Sequence, residues 1–136
     1  MRALQPPGWP RPRGYANGIA ARGTMVFVAG QIGWDERRAI VSDDLAPQLA
    51  QALDNTLAVL REGGCGPEHV VRMTWYLTDK RDYLARAREL GEVYRARMGR
   101  HYPAMAVLEV SALIEDRAKV EIETTAVLPD AGPASS

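Results

Sequence analysis

From Val70 to Leu77 apolar and polar side chains alternate, with Val71, Met73, Trp75 and Leu77 set against Arg72, Thr74 and Tyr76. A period of two is the signature of a strand with one buried face. The same alternation runs through Lys119–Val127, where Val120, Ile122, Thr124 and Ala126 interleave with Glu121, Glu123, Thr125 and Val127. Ala104–Ser111 is a third such strand: Met105, Val107 and Glu109 share one face, and Ala104, Ala106, Leu108 and Val110 the other. Met25–Gly30 is a continuous apolar run, which predicts a strand buried on both faces. Tyr15–Ala20 predicts a strand before it, with a turn at Arg22-Gly23, and Ala39–Val41 a short strand after the loop Gln31–Arg38.

Two stretches change to a helical period. From Asp44 to Glu62, Leu45, Leu49, Leu53, Leu57 and Leu60 form one apolar stripe. Asp43 or Asp44 can cap this helix, Pro47 falls in its tolerant first turn, and Gly63-Gly64 ends it. From Asp82 to Met98 the buried stripe is Tyr83, Ala87, Leu90, Tyr94 and Met98, with Asp82 as cap and Gly99 as terminator.

The order β-β-(β)-α-β-α-β-β predicts an α+β domain, two helices on one face of a mixed β-sheet. The uncovered face is expected to carry Arg72, Thr74, Tyr76, Met105, Val107, Glu121 and Glu123. A half-apolar face with no helix left to cover it predicts a partner subunit. Residues 1–14, with four prolines and three arginines, read as an extended Pro-rich arm. Residues 15–128 form a single domain, and 129–136 read as a disordered tail.

Composition narrows the function classes. The 136 residues are 46% hydrophobic and 25% charged, and 17 basic side chains balance 17 acidic ones. That balance argues against nucleic acid or an anionic membrane surface as partner. The first fourteen residues lack the apolar segment of a signal peptide and no run spans a bilayer, so a cytoplasmic location is the expectation. Cys65, the single cysteine, lies in a Gly-Pro-rich loop and reads as a small loop residue, with no adjacent His or Lys to activate it. His69, at the start of the next strand, and His101 are the only histidines, so no metal site is expected.

Gly14-Tyr15, Val26-Phe27-Val28-Ala29-Gly30-Gln31, Gln48-Leu49-Ala50-Gln51-Ala52-Leu53-Asp54-Asn55, Pro103-Ala104 and Val120-Glu121-Ile122-Glu123 follow one another at set separations. In this order the chain resembles the Rid family (YjgF/YER057c/UK114) of enamine/imine deaminases, from about Tyr15 to Val127. The resemblance implies a chorismate-mutase-like fold and a homotrimer whose sheets pack face to face around a barrel. It implies inter-subunit clefts for a small-molecule substrate. It further implies hydrolysis of enamines and imines to carbonyl compounds and ammonia, with neither metal nor organic cofactor.

By the same resemblance Glu121 positions the attacking water, and Tyr15, Gly30 and Gln31 line the cleft. Trp34 follows in the loop as a possible wall. Imine hydrolysis needs a base for the incoming water and then an acid for the leaving amine, and one carboxylate can serve as both. On the strand pattern alone, Glu121 reads as a solvated or ion-paired residue, and Tyr15 is equally an amphipathic residue at a subunit edge. Glu123 reads as structural.

The chain departs from the family pattern at Met105, where the family's deaminases carry the arginine that clamps the substrate carboxylate. A thioether cannot replace a bidentate guanidinium. The chain therefore reads as a branch lacking this arginine. For such a branch the resemblance implies a deaminase for a non-standard substrate such as a 2-aminomuconate-like ring-cleavage product, or a non-catalytic metabolite-binding or interaction protein on the same scaffold. Arg100, His101 and Tyr102, just upstream, are candidates for a displaced anchor. A ribonuclease or translation-inhibitor role, also attached to the family, fits the charge balance poorly.

Overall fold

The computed structural model of the chain describes residues 1–130, so the tail expected at 129–136 falls, from residue 131, outside the described residues. The strands are β1 (Arg2–Leu4), β2 (Gly18–Ala20), β3 (Thr24–Ile32), β4 (Val70–Leu77), β5 (Ala104–Glu109) and β6 (Val120–Leu128). The helices are α1 (Leu45–Glu62), α2 (Lys80–Ala85) and α3 (Ala87–Met98). β3, β6, β4 and β5 form the main sheet in that order. β4 and β5 run parallel, and the other pairings are antiparallel. The expected mixed sheet and α+β arrangement are what the chain adopts.

Alternation decides which face meets the helices. Met73, Trp75 and Leu77 of β4 and Val120, Ile122, Thr124 and Ala126 of β6 are buried there. α1 lies on β3 and β6 and against α3, with Leu45, Leu49, Leu53 and Leu60 buried. Each such leucine contributes roughly 1.5–3 kcal/mol by leaving water. The other sheet face has no element over it among the described residues, and Phe27 is 70% exposed there.

Five local expectations change. The second helix begins at Lys80, because Asp79 and not Asp82 accepts the free N–H groups of Arg81 and Asp82 at 3.0 and 3.2 Å. It breaks at Arg86, whose guanidinium is held by Asp82 at 2.8 Å. Ala39–Val41 is not a strand, since only Ile40 bridges back to Trp34. His69 belongs to a short 3₁₀ turn before β4, where its Nδ1 accepts from the Gly66 N–H. Residues 15–17 precede β2 rather than starting it, and Ala16 forms a single parallel bridge to Ala104.

The N-terminal arm is tied back onto the domain. β1 pairs with β2, and the Gln5 side chain donates to the Trp9 and Pro10 carbonyls while accepting from Asn17. This folds the arm so that Arg13, Gly14 and Tyr15 arrive beside β5. No helix of the described residues is long and apolar enough to cross a membrane.

Candidate functional site

Glu121 sits on the uncovered face of β6, paired with Tyr76 of β4 on one side and Ile32 of β3 on the other. Between Val28 and Gln31 the β3–β6 register slips. Such irregularities re-aim the residues around them. The slip brings the bare backbone of Gly30 under the Glu121 side chain, and a Cβ at residue 30 would collide with the carboxylate oxygen Oε2. The carboxylate is thereby half-buried against backbone on a face that is otherwise open. Glu123, two residues on, is engaged differently: the Tyr76 hydroxyl donates to its Oε1 at 2.6 Å. That hydrogen bond, before anything else, raises the Tyr76 phenol above its ordinary value.

Two amides of α1 hold the surrounding loops. Gln48 is fully buried; its Nε2 donates to the carbonyls of Ser42 (2.8 Å) and Arg117 (2.9 Å), and its Oε1 accepts from the Lys119 N–H (2.8 Å). Asn55 Nδ2 donates to the carbonyls of Ile32 and Trp34. The Trp34 ring lies beneath the Arg38 guanidinium at 5.8 Å, and Asp35 closes the tip by accepting from Arg37 and Ala39. Those backbone hydrogen bonds lower the Asp35 carboxyl below its ordinary value.

A second cluster forms on the helix side. A cavity of about 390 Å³ is lined by Tyr15, Trp75, Tyr83, Tyr94, Met105 and Val107, with Arg13 and Arg95 also at its walls. Trp75 is 4% exposed, and its indole N–H has no acceptor. Tyr94 stacks on Tyr102 with centroids 5.6 Å apart and donates to the His101 carbonyl. Burial raises the phenols of Tyr83 and Tyr94.

Here the sequence reading needs correction. Met105 and Val107 were expected on the uncovered face with Glu121, but they face the helices. The parallel register sets Met105 beside Met73 and Val107 beside Trp75, both core residues. Ala104, Ala106 and Leu108 are therefore the β5 residues on the uncovered face. The candidate residues divide into two groups: Gly30, Gln31, Trp34 and Glu121 around β3 and β6, and Tyr15 with Met105 around the cavity. No single chain can bring the two together across its own sheet.

The upstream anchor candidates also resolve. The His101 ring is engaged by the Val70 carbonyl at 2.6 Å, Tyr102 stacks on Tyr94 and lines the cavity, and Arg100 is exposed and outside the cavity lining. Trp75 and Arg95, which the sequence did not single out for the site, line the cavity as well. Helical spacing from Leu90 and Gly91 to Tyr94 and Arg95 was the available signal. Cys65 is 2% exposed, and burial pushes its thiol up. Among the described residues no group of three or more His, Cys, Asp or Glu comes together to hold a metal ion.

Comparison with known proteins bears on this arrangement. Residues 10–128 match the family model described as Endoribonuclease L-PSP. A RutC family protein of Synechocystis is 37% identical over 95% of this chain and 98% of its own length. The 2-iminobutanoate/2-iminopropanoate deaminase of Salmonella typhimurium is 31% identical over 83% of this chain and 86% of its own. Among solved structures, a protein of unknown function of the conserved Rid family from Yersinia pestis superimposes with a TM-score of 0.83 at 27% identity. The superposition covers 93% of this chain and 98% of that one. The chain belongs to the Endoribonuclease L-PSP family, the Rid/YjgF group of proteins.

Proposed function

We propose that the chain is a hydrolytic deaminase of reactive enamines and imines, working in inter-subunit clefts of a homotrimer on a non-standard substrate. The observation that carries this reading is the seat of Glu121, whose carboxylate is pressed over the bare backbone of Gly30. Such a seat restricts the carboxylate to few rotamers and leaves backbone polar groups beside it for a substrate. The name of the Salmonella relative, a 2-iminobutanoate/2-iminopropanoate deaminase, supports the reaction class. Assembly is supported by the uncovered apolar face, and by the division of Glu121 and Met105 onto opposite faces of one sheet.

The chemistry needs only proton transfers. An enamine first tautomerises to the imine. As water attacks the C=N carbon, the Glu121 carboxylate takes a water proton, and the imine nitrogen gains a proton from solvent. The tetrahedral carbinolamine then loses its C–N bond. Glu121 returns its proton to the departing amine, and the carbinol oxygen releases its own to give the carbonyl. Imine plus water becomes carbonyl plus ammonia. A positioned general acid–base of this kind contributes roughly 10²–10⁴-fold. Tyr15, Gly30, Gln31, Trp34 and Met105 would bound the substrate, Met105 with an apolar wall where a guanidinium would otherwise stand.

One observation favours a second reading, a metabolite-binding protein without turnover. Met105 packs against the core cluster and can be simple filler. The experiment separating the two generates imines with an amino-acid oxidase in the presence of semicarbazide. A deaminase diverts imine and lowers semicarbazone yield, and Glu121→Gln abolishes the diversion. Unchanged yield across a broad panel, with a thermal shift from a ligand that is not consumed, establishes binding alone.

A further inference from the structure

The cavity on the helix side is chemically one-sided. Two of its lining residues, Arg13 and Arg95, are cations, and none is an Asp or Glu. Arg13 and Arg95 are exposed and, like most arginines of the chain, have no carboxylate within 4 Å among the described residues, which leaves both guanidinium groups free to meet an anion. The rest of the lining is aromatic and aliphatic. Trp75 is also part of the lining, although its indole N–H is itself buried away from the cavity surface.

Gly91 explains how Arg95 comes to lie there. It occupies the interior of α3, where glycine costs about 1 kcal/mol relative to alanine. Arg95 follows one turn later on the same face. A Cβ at residue 91 would stand 3.0 Å from Arg95 Nη1, closer than ordinary van der Waals contact. The missing side chain at 91 leaves that space to the guanidinium. Both residues line the cavity.

We propose that Arg95 is the anion anchor of this cavity and that its ligand is an organic carboxylate with an apolar body. The carboxylate meets the guanidinium on α3, and the body lies along Met105, Tyr83 and Leu90. This deepens the deaminase reading by naming what holds the substrate when residue 105 cannot. Moving the anchor from β5 to α3 also moves the carboxylate, so the preferred chain length shifts away from that of the shortest oxo acids.

The test measures binding, not turnover. Calorimetric titrations of the full chain would use pyruvate, 2-oxobutanoate and 2-oxohexanoate, with inorganic phosphate as a compact anion lacking an apolar body. Tightest binding by 2-oxohexanoate is expected, with roughly tenfold loss or more in Arg95→Gln and no rescue by Arg95→Lys, which lacks the planar fork. Gly91→Ala should weaken binding in the same direction. Arg88→Gln, an equal charge change on the same helix but outside the cavity, should leave it within twofold. Oxo-acid affinity that is unmeasurable, unchanged in Arg95→Gln, or matched by phosphate overturns the proposal. Arg95-dependent binding with no imine hydrolysis would remove the deaminase reading alone. Hydrolysis indifferent to Arg95 would remove the anchor alone.

Discussion

The Glu121 carboxylate occupies the space that any side chain at residue 30 would need, its Oε2 lying where a Cβ on Gly30 would begin. Gly30→Ala therefore forces the carboxylate to swing aside. The atom displaced is the far end of a flexible side chain and residue 30 is exposed, so stability should change by no more than about 0.5 kcal/mol. Displacement of a catalytic group by about 1 Å can cost on the order of a hundredfold. Imine diversion should thus fall by tenfold to a hundredfold with the melting temperature nearly unmoved. Wild-type activity in Gly30→Ala would show that the seat of Glu121 is irrelevant to the chemistry.

Gln48 is a buried amide whose three hydrogen bonds reach two different loops, through Ser42 on one and Arg117 and Lys119 on the other. Gln48→Leu keeps similar bulk but strips all three backbone groups of their partner. Each buried group left unpaired costs roughly 1–3 kcal/mol, and partial rehydration of the loops reduces the sum to about 3 kcal/mol. The urea midpoint should fall accordingly. Hydrogen exchange should speed up at residues 42 and 117–119 before it does so in β4.

Arg72–Leu77 and the leucine stripe of α1 were legible because alternation or helical spacing is unbroken there and both elements are central, whereas at Val70-Val71 the pairing with β6 slips and Val70, not Val71, is fully buried. β5 was legible as a strand but not as to which face is which. Alternation says that Met105 and Val107 share a face. Only the parallel register with Met73 and Trp75 says that it is the helix face, and that register is a long-range property. β5 is an edge strand whose one polar residue, Glu109, shares the face of Met105 and Val107 and stands at the strand's very end, so it points to the wrong face for the two residues before it. The site was legible as a carboxylate on β6, which is local. The Arg95 and Trp75 cavity was not, because it is assembled from β4, β5, α3 and the folded-back arm.

The Tyr76–Glu123 pair predicts an alkaline signature. The hydrogen bond to the Glu123 carboxylate raises Tyr76, with burial and the charges of Glu123 and Glu121 adding to it. A phenol raised in the folded state contributes stability present in full below its unfolded value of about 10. The contribution is lost as pH rises through the folded-state value. In an NMR titration of the tyrosine ring carbons, Tyr76, Tyr83 and Tyr94 should all titrate above the ordinary range. Glu123→Gln should bring Tyr76 down while leaving Tyr83 and Tyr94 in place, since those two are raised chiefly by burial. A Tyr76 midpoint indifferent to Glu123→Gln would mean that the 2.6 Å hydrogen bond does not persist in solution.

Phe27 and Met25 project from β3 on the uncovered face, 70% and 57% exposed, and Leu108 of β5 is 40% exposed on the same side. Single exposed apolar residues are ordinary, but a sheet face carrying several of them fits the subunit interface proposed above. Burying one phenylalanine contributes roughly 1.5–3 kcal/mol. In a closed trimer that gain recurs in every copy. An aspartate at residue 27 would lose the gain and place like charges around the symmetry axis. Light scattering should give the wild-type protein three times the 14.9 kDa chain mass, and Phe27→Asp a mass of one chain. The domain should stay folded, because residue 27 lies outside the core cluster. Imine diversion should disappear with the trimer, because Glu121 and Met105 lie on opposite faces of one sheet and the proposed cleft joins them across a subunit boundary. A wild-type mass of a single chain would remove the assembly, and an active monomeric Phe27→Asp would remove the composite cleft.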